Sequence, residues 1–321
     1  MSSIAEVTSK PMILGTRGSA LALAQTELTK AALKAAYPAL TTEAKTFTTR
    51  GDQKLDLSLL RGSEAGGKGL FTKELEEALI AGAIDVAVHS LKDLPGHNPA
   101  GLQLTAVLER APTADVLISK VDGGLEGLPQ GAHVGTSSVR RSRQLKWLRP
   151  DLVIQDWRGN VQTRLRKLGE SGEFSAIVLA QAGLERLGFS LKGGLEFEGY
   201  RFSVTSLEAH LLPAIGQGAI ALQSRVGDER VNGILAKINH GPTFLAIRAE
   251  RELQRLLAGD CTLPVGVRCL LEKKEMTMRA ILFGQEGEAP RAAEARGSVA
   301  EPEKLAAAVF RGLEEAPPLK S

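Results

Sequence analysis

Cysteine is nearly absent from this chain: Cys261 and Cys269 are the only two in 321 residues. A disulfide scaffold is excluded, and there is no Cys-x-x-Cys pair for zinc or redox chemistry. The histidines, at 89, 97, 133, 210 and 240, show no ligand spacing, so no metal is expected. Aromatic residues make up only 4% of the sequence, which leaves few platforms for stacking bases. Lys plus Arg (40) barely exceeds Asp plus Glu (37), so the basic excess of a nucleic-acid binder is missing and no nucleic-acid partner is expected. No apolar run approaches the roughly 20 residues needed to span a bilayer. The opening MSSIAEVTSKP lacks the apolar centre of a secretory signal. No membrane partner is expected, and a reducing compartment, by default the cytoplasm, follows. Organellar import stays compatible, because a clipped transit peptide would leave no trace. No long apolar surface helix demands a partner, so a monomer is the simplest expectation.

The rest of the composition is that of an ordinary globular protein, with 43% hydrophobic and 24% charged residues. The length suggests two or three domains. Short apolar runs alternate with helical patterns. Met12–Leu14, Thr42–Thr48 and Ile84–Val88 read as strands; Ala20–Tyr37, capped by Ser19, and Phe71–Ala81, closed by Gly82, read as helices. A second unit repeats this logic. Val116–Ile118, His133–Gly135, Leu152–Gln155 and Ala176–Leu179 are strands, Ser137 or Ser138 caps one helix, and Asn160 caps the next. Such alternation implies parallel or mixed sheets covered by helices. The Pro- and Gly-punctuated Leu211–Gly218 reads as a turn or hinge. From Pro242 onward, a helix, a hairpin around Glu272–Glu275 and a last helix near Glu303–Glu314 indicate a small α+β domain.

The most informative stretch is IDVAVHSLKDLP, residues 84–95. A buried strand there delivers His89, Ser90, Lys92 and Asp93 to its C-terminal end, where open α/β sheets bind ligands. Arg17 follows the first strand, Arg140 and Arg141 open a helix after another, and Arg158 sits after the next. Helix N-termini and guanidinium groups both favour anions. Between residues 133 and 169 the only acids are Asp151 and Asp156, so a local cationic surface on a nearly neutral protein points to a defined anionic ligand. Gly66–Gly69 lacks Walker spacing; it is either a plain flexible loop or one that carries Lys68 to a ligand. Cys261 lies in a Gly/Pro-punctuated turn and can be structural or carry a covalent group, while Cys269, inside an apolar strand, reads as a core residue.

These segments together resemble the porphobilinogen deaminase (hydroxymethylbilane synthase) family. The likeness runs through TRGS at 16–19, TRGD at 49–52, GGKGLFTKELE at 66–76, VHSLKDLP at 88–95, VGTSSVRR at 134–141, RGNVQTR at 158–164, LPAIGQGA at 212–219 and CTLPVG at 261–266. Each motif is short; their order and spacing over nearly the whole chain carry the resemblance. It implies an α/β protein of three domains. Two would be type II periplasmic-binding-protein-like with a double chain crossover, 1–112 with 217–239 and then 113–216. Residues 240–321 would form the small C-terminal α+β domain. It also implies a dipyrromethane cofactor on Cys261 through a thioether, with porphobilinogen as substrate.

The activity the resemblance implies is the head-to-tail joining of four porphobilinogen molecules onto the enzyme-bound dipyrromethane. Ammonia is released, and hydrolysis frees the linear tetrapyrrole hydroxymethylbilane. Each pyrrole brings two carboxylates, which suits an arginine-lined cleft. Asp93 matches the family's catalytic aspartate. Ser90, Lys92, Thr136, Ser138, Arg140, Arg141, Arg158 and Gln217 would hold the cofactor, with Ser137 adding a neutral donor. Arg17, Ser19, Lys68, Phe71, Arg158, Arg164 and Arg186 would hold the substrate. Three departures stand out: the stretch between Asp56 and Gly66 is longer than usual, Asp260 precedes Cys261 where glycine is usual, and the third-domain strands match only loosely. The alternative is a non-catalytic two-lobed binder of an anionic small molecule, which shares the arginines but has no use for Cys261 or Asp93.

Overall fold

Residues 10–49, 72–257, 264–285 and 287–319 are described in the computed structural model. Two compact units emerge, Met1–Ala111 with Ala219–Ile247 and Pro112–Gly218 with Arg248–Ser321. No helix among the described residues is long and apolar enough to cross a membrane.

The first unit contains β1 (Met12–Arg17), α1 (Ala20–Ala36), β2 (Thr42–Phe47), α2 (Lys73–Ile80), β3 (Val86–Ser90), β4 (Leu102–Val107), β11 (Ile220–Arg225) and α6 (Glu229–Ile238). Their sheet runs β2-β1-β3-β11-β4. β1 is parallel to β2 and β3, and β11 is antiparallel to both β3 and β4. The period of two along β3 splits the core: Val86 and Val88 join Met12, Leu14, Leu33 and Ile234 in one cluster, while Ala87 joins Leu75, Leu79 and Ile84 in the other. Each fully buried Leu or Val is worth about 1.5–3 kcal/mol of transfer free energy, so both faces of the strand favour this register. A Cβ at Gly15 would push on the Ile84 and Leu75 side chains, so glycine lets β1 pack closest here.

The second unit contains β5 (Asp115–Ser119), β6 (His133–Gly135), α3 (Val139–Leu148), β7 (Val153–Gln155), α4 (Val161–Glu170), β8 (Phe174–Ala180), α5 (Gln181–Arg186), β9 (Leu195–Phe197) and β10 (Tyr200–Ser206). Its sheet runs β7-β6-β8-β5-β10-β9. β6 is parallel to β7 and β8, whereas β5 is antiparallel to β8 and β10. The two sheets therefore share one plan, with an antiparallel strand in fourth place. In each sheet that strand closely follows a chain crossing: β5 after Ala111, β11 after Gly218. The expected α/β architecture with a double crossover is the one observed.

Helix α7 (Gly241–Leu256) leads out of the first unit. The small C-terminal domain follows, with β12 (Val265–Glu272), β13 (Glu275–Leu282), β14 (Arg291–Ser298) and α8 (Pro302–Glu315). Its sheet is a simple antiparallel meander whose first hairpin closes on the Glu272–Glu275 pair. Met276, Met278, Ala280, Leu305, Ala306 and Val309 are buried there.

Candidate active site

In the first unit, the polar residues stand at strand ends because buried apolar neighbours hold the chain on either side. β1 ends in Arg17, and Ser19 caps α1, its hydroxyl accepting from the Ala22 amide at 3.3 Å. β3 ends in Ser90 and runs into a single 3-10 turn, Leu91–Asp93. Leu91 and Leu94 are buried in a cluster with Val107, Ala221 and Ile247, so Lys92 and Asp93 are held half-buried between two anchors. Arg17, Lys92 and Asp93 all engage partners within the structure.

Ser90 is locked by a residue the sequence reading missed. Gln25 of α1, buried, donates to the Ser90 hydroxyl at 2.8 Å and accepts from it at 3.1 Å. Behind it, His89 Nε2 meets Gln223 Oε1 at 3.2 Å, and Gln223 donates in turn to Glu76 at 3.2 Å. The Glu76 carboxylate only accepts, which turns the Gln223 carbonyl toward His89 and makes His89 the Nε2–H tautomer. Burial pushes the imidazole down to about 4; the Gln223 bond opposes this and the Arg17 charge adds to it.

In the second unit the centre is Asp115, at the start of β5. Its Oδ2 accepts from Arg140 Nη1 at 2.7 Å. Its Oδ1 accepts from Arg141 Nε at 3.0 Å, Arg141 Nη2 at 2.7 Å and Gln217 Nε2 at 2.9 Å. Arg140 also donates to the Leu212 carbonyl at 2.7 Å, and Arg141 to Val178 at 2.9 Å. Asp115, Arg140 and Arg141 are 1%, 4% and 6% exposed. Burial alone would raise the Asp115 carboxyl, but the two guanidinium charges override it and hold it well below the usual carboxylate range. Burial likewise works against the charge of Arg140, which Asp115 supports.

From the sequence, both arginines are expected to meet the carboxylates of a ligand. In the structure the carboxylate they grip is Asp115. Two buried cations need a counter-ion, and this one lies upstream of the acid-poor stretch that suggested free guanidinium groups. One net positive charge remains on the trio, and among the described residues the buried Arg140 Nε has no hydrogen-bond partner. Arg140 and Arg141 are directed inward because Ser138 caps α3, its hydroxyl accepting from the Arg141 amide at 3.5 Å. Thr136 Oγ1 accepts from the Ser138 amide, and the Ser137 hydroxyl donates to the Trp157 carbonyl. These hydroxyls build the turn.

The remaining arginines are also engaged. Arg158 pairs with Asp156 at 2.6 Å, just before Asn160 caps α4. Arg164 donates to the Gly159 carbonyl at 2.7 Å. Arg186 donates to the Gly218 carbonyl at 2.6 Å, and burial lowers its guanidinium below its ordinary value. Leu211–Gly218, expected as a turn or hinge, is hydrogen-bonded nearly residue by residue. Gln144 grips Leu212, Val267 donates to Pro213, Glu250 accepts from the Gly216 amide at 2.9 Å, and Gln217 donates to Asp115. Gly216 and Gly218 have φ of 70° and 86°, which only glycine adopts cheaply. Lys68, Phe71 and Cys261 lie outside the described residues.

This donor set suits an anionic ligand: a residual positive charge on the Asp115 trio and cations at successive strand ends. The chain is similar to known proteins. The model for "Porphobilinogen deaminase, dipyromethane cofactor binding domain" matches residues 12–233, and that for "Porphobilinogen deaminase, C-terminal domain" matches 244–314. A porphobilinogen deaminase of Syntrophobacter fumaroxidans is 42% identical over 301 residues, 93% of each chain. One from Roseiflexus is 45% identical over 298 residues, 93% of this chain and 94% of the other. Among solved structures, the aliphatic sulphonate binding protein SsuA of Escherichia coli aligns at a TM-score of 0.36 and 14% identity, over 77% of this chain and 70% of that one.

Proposed function

The chain belongs to the porphobilinogen deaminase family, and from that premise we propose how its residues divide the work. The enzyme is a transferase of tetrapyrrole biosynthesis. It joins four porphobilinogen molecules with loss of ammonia on a bound dipyrromethane and releases hydroxymethylbilane by hydrolysis. The observation that carries this reading is the match of two family models across nearly the whole chain. A non-catalytic binder is not favoured.

The dipyrromethane supplies the primer and the nucleophilic pyrrole carbon when bound, and Cys261 is its proposed thioether anchor. Asp93 is the proposed catalytic group. Its carboxylate stabilises the cation that the substrate becomes on losing ammonia. It then accepts the proton released as the new carbon–carbon bond forms. Leu91 and Leu94 keep it from swinging away. Ser90, oriented by Gln25, and Lys92 hold the cofactor beside it.

Arg140 and Arg141 bring the cofactor's carboxylates a net single positive charge, with Arg140 Nε as the unspent donor. Arg158 can exchange Asp156 for a ligand carboxylate, because that pair is only partly buried. Thr136, Ser138 and Gln217 fix the shape of this wall. Arg17, Ser19, Lys68, Phe71, Arg164 and Arg186 are the proposed substrate contacts, with Arg158 serving both. We read residues 1–112 with 217–239, 113–216 and 240–321 as the working domains. A cytoplasmic monomer fits: the large exposed apolar side chains among the described residues, such as Leu23, Ile80, Val226 and Leu270, are scattered along the chain.

The test is an intact mass of the purified chain together with turnover of porphobilinogen. A two-pyrrole adduct on Cys261, an Ehrlich-type colour and ammonia release are expected. An unmodified chain that binds porphobilinogen without consuming it would defeat the reading.

A further inference from the structure

We propose that Gln144 is a positioning residue for the cofactor. Together with Gly266 it forms a joint that fixes the strand rooting the Cys261 segment against the helix that carries Arg140 and Arg141. This rests on the reading of Cys261 as the anchor.

Gln144 lies on α3, one turn beyond Arg140 and Arg141, and is 3% exposed. Its carboxamide takes the backbone of Leu212 at both ends. Oε1 accepts from the Leu212 amide at 2.8 Å, and Nε2 donates to the Leu212 carbonyl at 3.0 Å. Arg140 Nη1 donates to the same carbonyl at 2.7 Å. Both lone pairs of that oxygen are therefore spent, one on Gln144 and one on the arginine.

The next residue carries the contact outward. The Pro213 carbonyl accepts from the Val267 amide at 2.8 Å, which seats β12 on this clamp. One residue further, the Arg268 side chain donates to the Glu208 carbonyl at 3.0 Å. Gly266 makes the seat possible. A Cβ there would stand 2.7 Å from Leu212 Cβ, 2.9 Å from the Leu212 oxygen and 3.0 Å from Gln144 Nε2. β12 begins at Val265. Only three residues, Thr262, Leu263 and Pro264, separate it from Cys261, a reach of at most about 14 Å. A slip of the clamp is therefore passed along a short tether to the thiol.

Glutamine is the side chain this joint requires, because its planar amide offers one acceptor and one donor at the spacing of a peptide. Glutamate would set a carboxylate oxygen against the Leu212 carbonyl. Methionine would leave the Leu212 amide unmet and its carbonyl held by Arg140 alone.

The experiment uses the full chain as purified and compares Gln144→Met, Gln144→Glu and Gly266→Ala with the parent. Gly169→Ala serves as a destabilised control in the same unit, since a Cβ there meets the Tyr200 ring. The fraction of folded monomer carrying a two-pyrrole adduct is read by intact mass, and tryptophan emission reports folding. The Gln144 and Gly266 variants should lose roughly fivefold or more of the adduct fraction among folded chains, while Gly169→Ala keeps parental occupancy. Parental occupancy in folded Gln144→Met and Gln144→Glu, with only stability lowered, would overturn the proposal. Cys261→Ala separates the two readings. If the parent carries no adduct, or Cys261→Ala keeps it, the anchor assignment fails and the joint falls with it.

Discussion

Replacing Asp115 with asparagine isolates the electrostatics of the second unit, because shape and volume are nearly unchanged. Asp115 accepts four hydrogen bonds, three of them from two buried guanidinium groups. Asparagine keeps one acceptor oxygen. Turned toward Arg141 and Gln217, it leaves its own NH2 facing Arg140 Nη1, donor against donor. Two buried cations then lack a counter-ion, and removing one partner of such a buried pair costs about 3–5 kcal/mol. Trp147 and Trp157, the chain's two tryptophans, both fall in the second unit, so their fluorescence reports its unfolding. With a urea slope of about 1–3 kcal/mol/M, the midpoint should fall by about 1 M or more. The pH dependence gives a second check. The folded carboxyl is held below its unfolded value of about 3.9, so its contribution is complete above that pH and is lost as pH falls below it. The gap between parent and Asp115→Asn should therefore narrow in acid. A cost under about 1 kcal/mol at neutral pH, the range of an exposed ion pair, would refute the reasoning.

Asp93→Ala should lower kcat by about 10²-fold or more with the unfolding midpoint little changed, while Asp93→Glu stays partly active; a parental rate in the alanine variant would remove Asp93 from the chemistry. His89, held down at about 4, stabilises the first unit fully above its unfolded value of about 6.5. That contribution is lost as pH falls through 4, so His89→Gln should flatten the slope of thermal stability between pH 6.5 and 4. An unchanged slope would show that another group titrates there. Gly135→Ala would drive a Cβ to within 2.7 Å of Trp157 and should cost about 1–3 kcal/mol with altered tryptophan emission; parental stability and emission would show that this turn has slack.

Local signals were legible wherever the responsible partner lies a few residues away. Ser19 and Asn160 cap the helices they were expected to cap, and Gly82 follows α2 with φ of 70°. Not every strand is legible. β14 has small alanines packed toward α8 and charged residues outward, so its pattern is too weak to read. The partners of the site residues were missed because sheet order, not sequence proximity, supplies them. Gln25 reaches Ser90 across 65 residues, and Asp115 reaches Arg140 across 25. A lone acid opening the apolar run DVLIS was the available clue, since such a carboxylate demands a cation. The hinge reading of Leu211–Gly218 followed from its proline and glycines. Those residues set the backbone path, but side chains from α3, α5 and α7 decide whether it moves.

The fourth position of the first sheet has a consequence for biosynthesis. β11, which sits between β3 and β4, leaves the ribosome more than a hundred residues after β4. Until then a nascent chain carries β3 and β4 with facing edges unmatched, the kind of exposed ladder that invites mispairing with other chains. A fragment ending near Ala111 should therefore be a poor independent folder. Chaperone capture during translation should peak before Arg225 emerges and then fall.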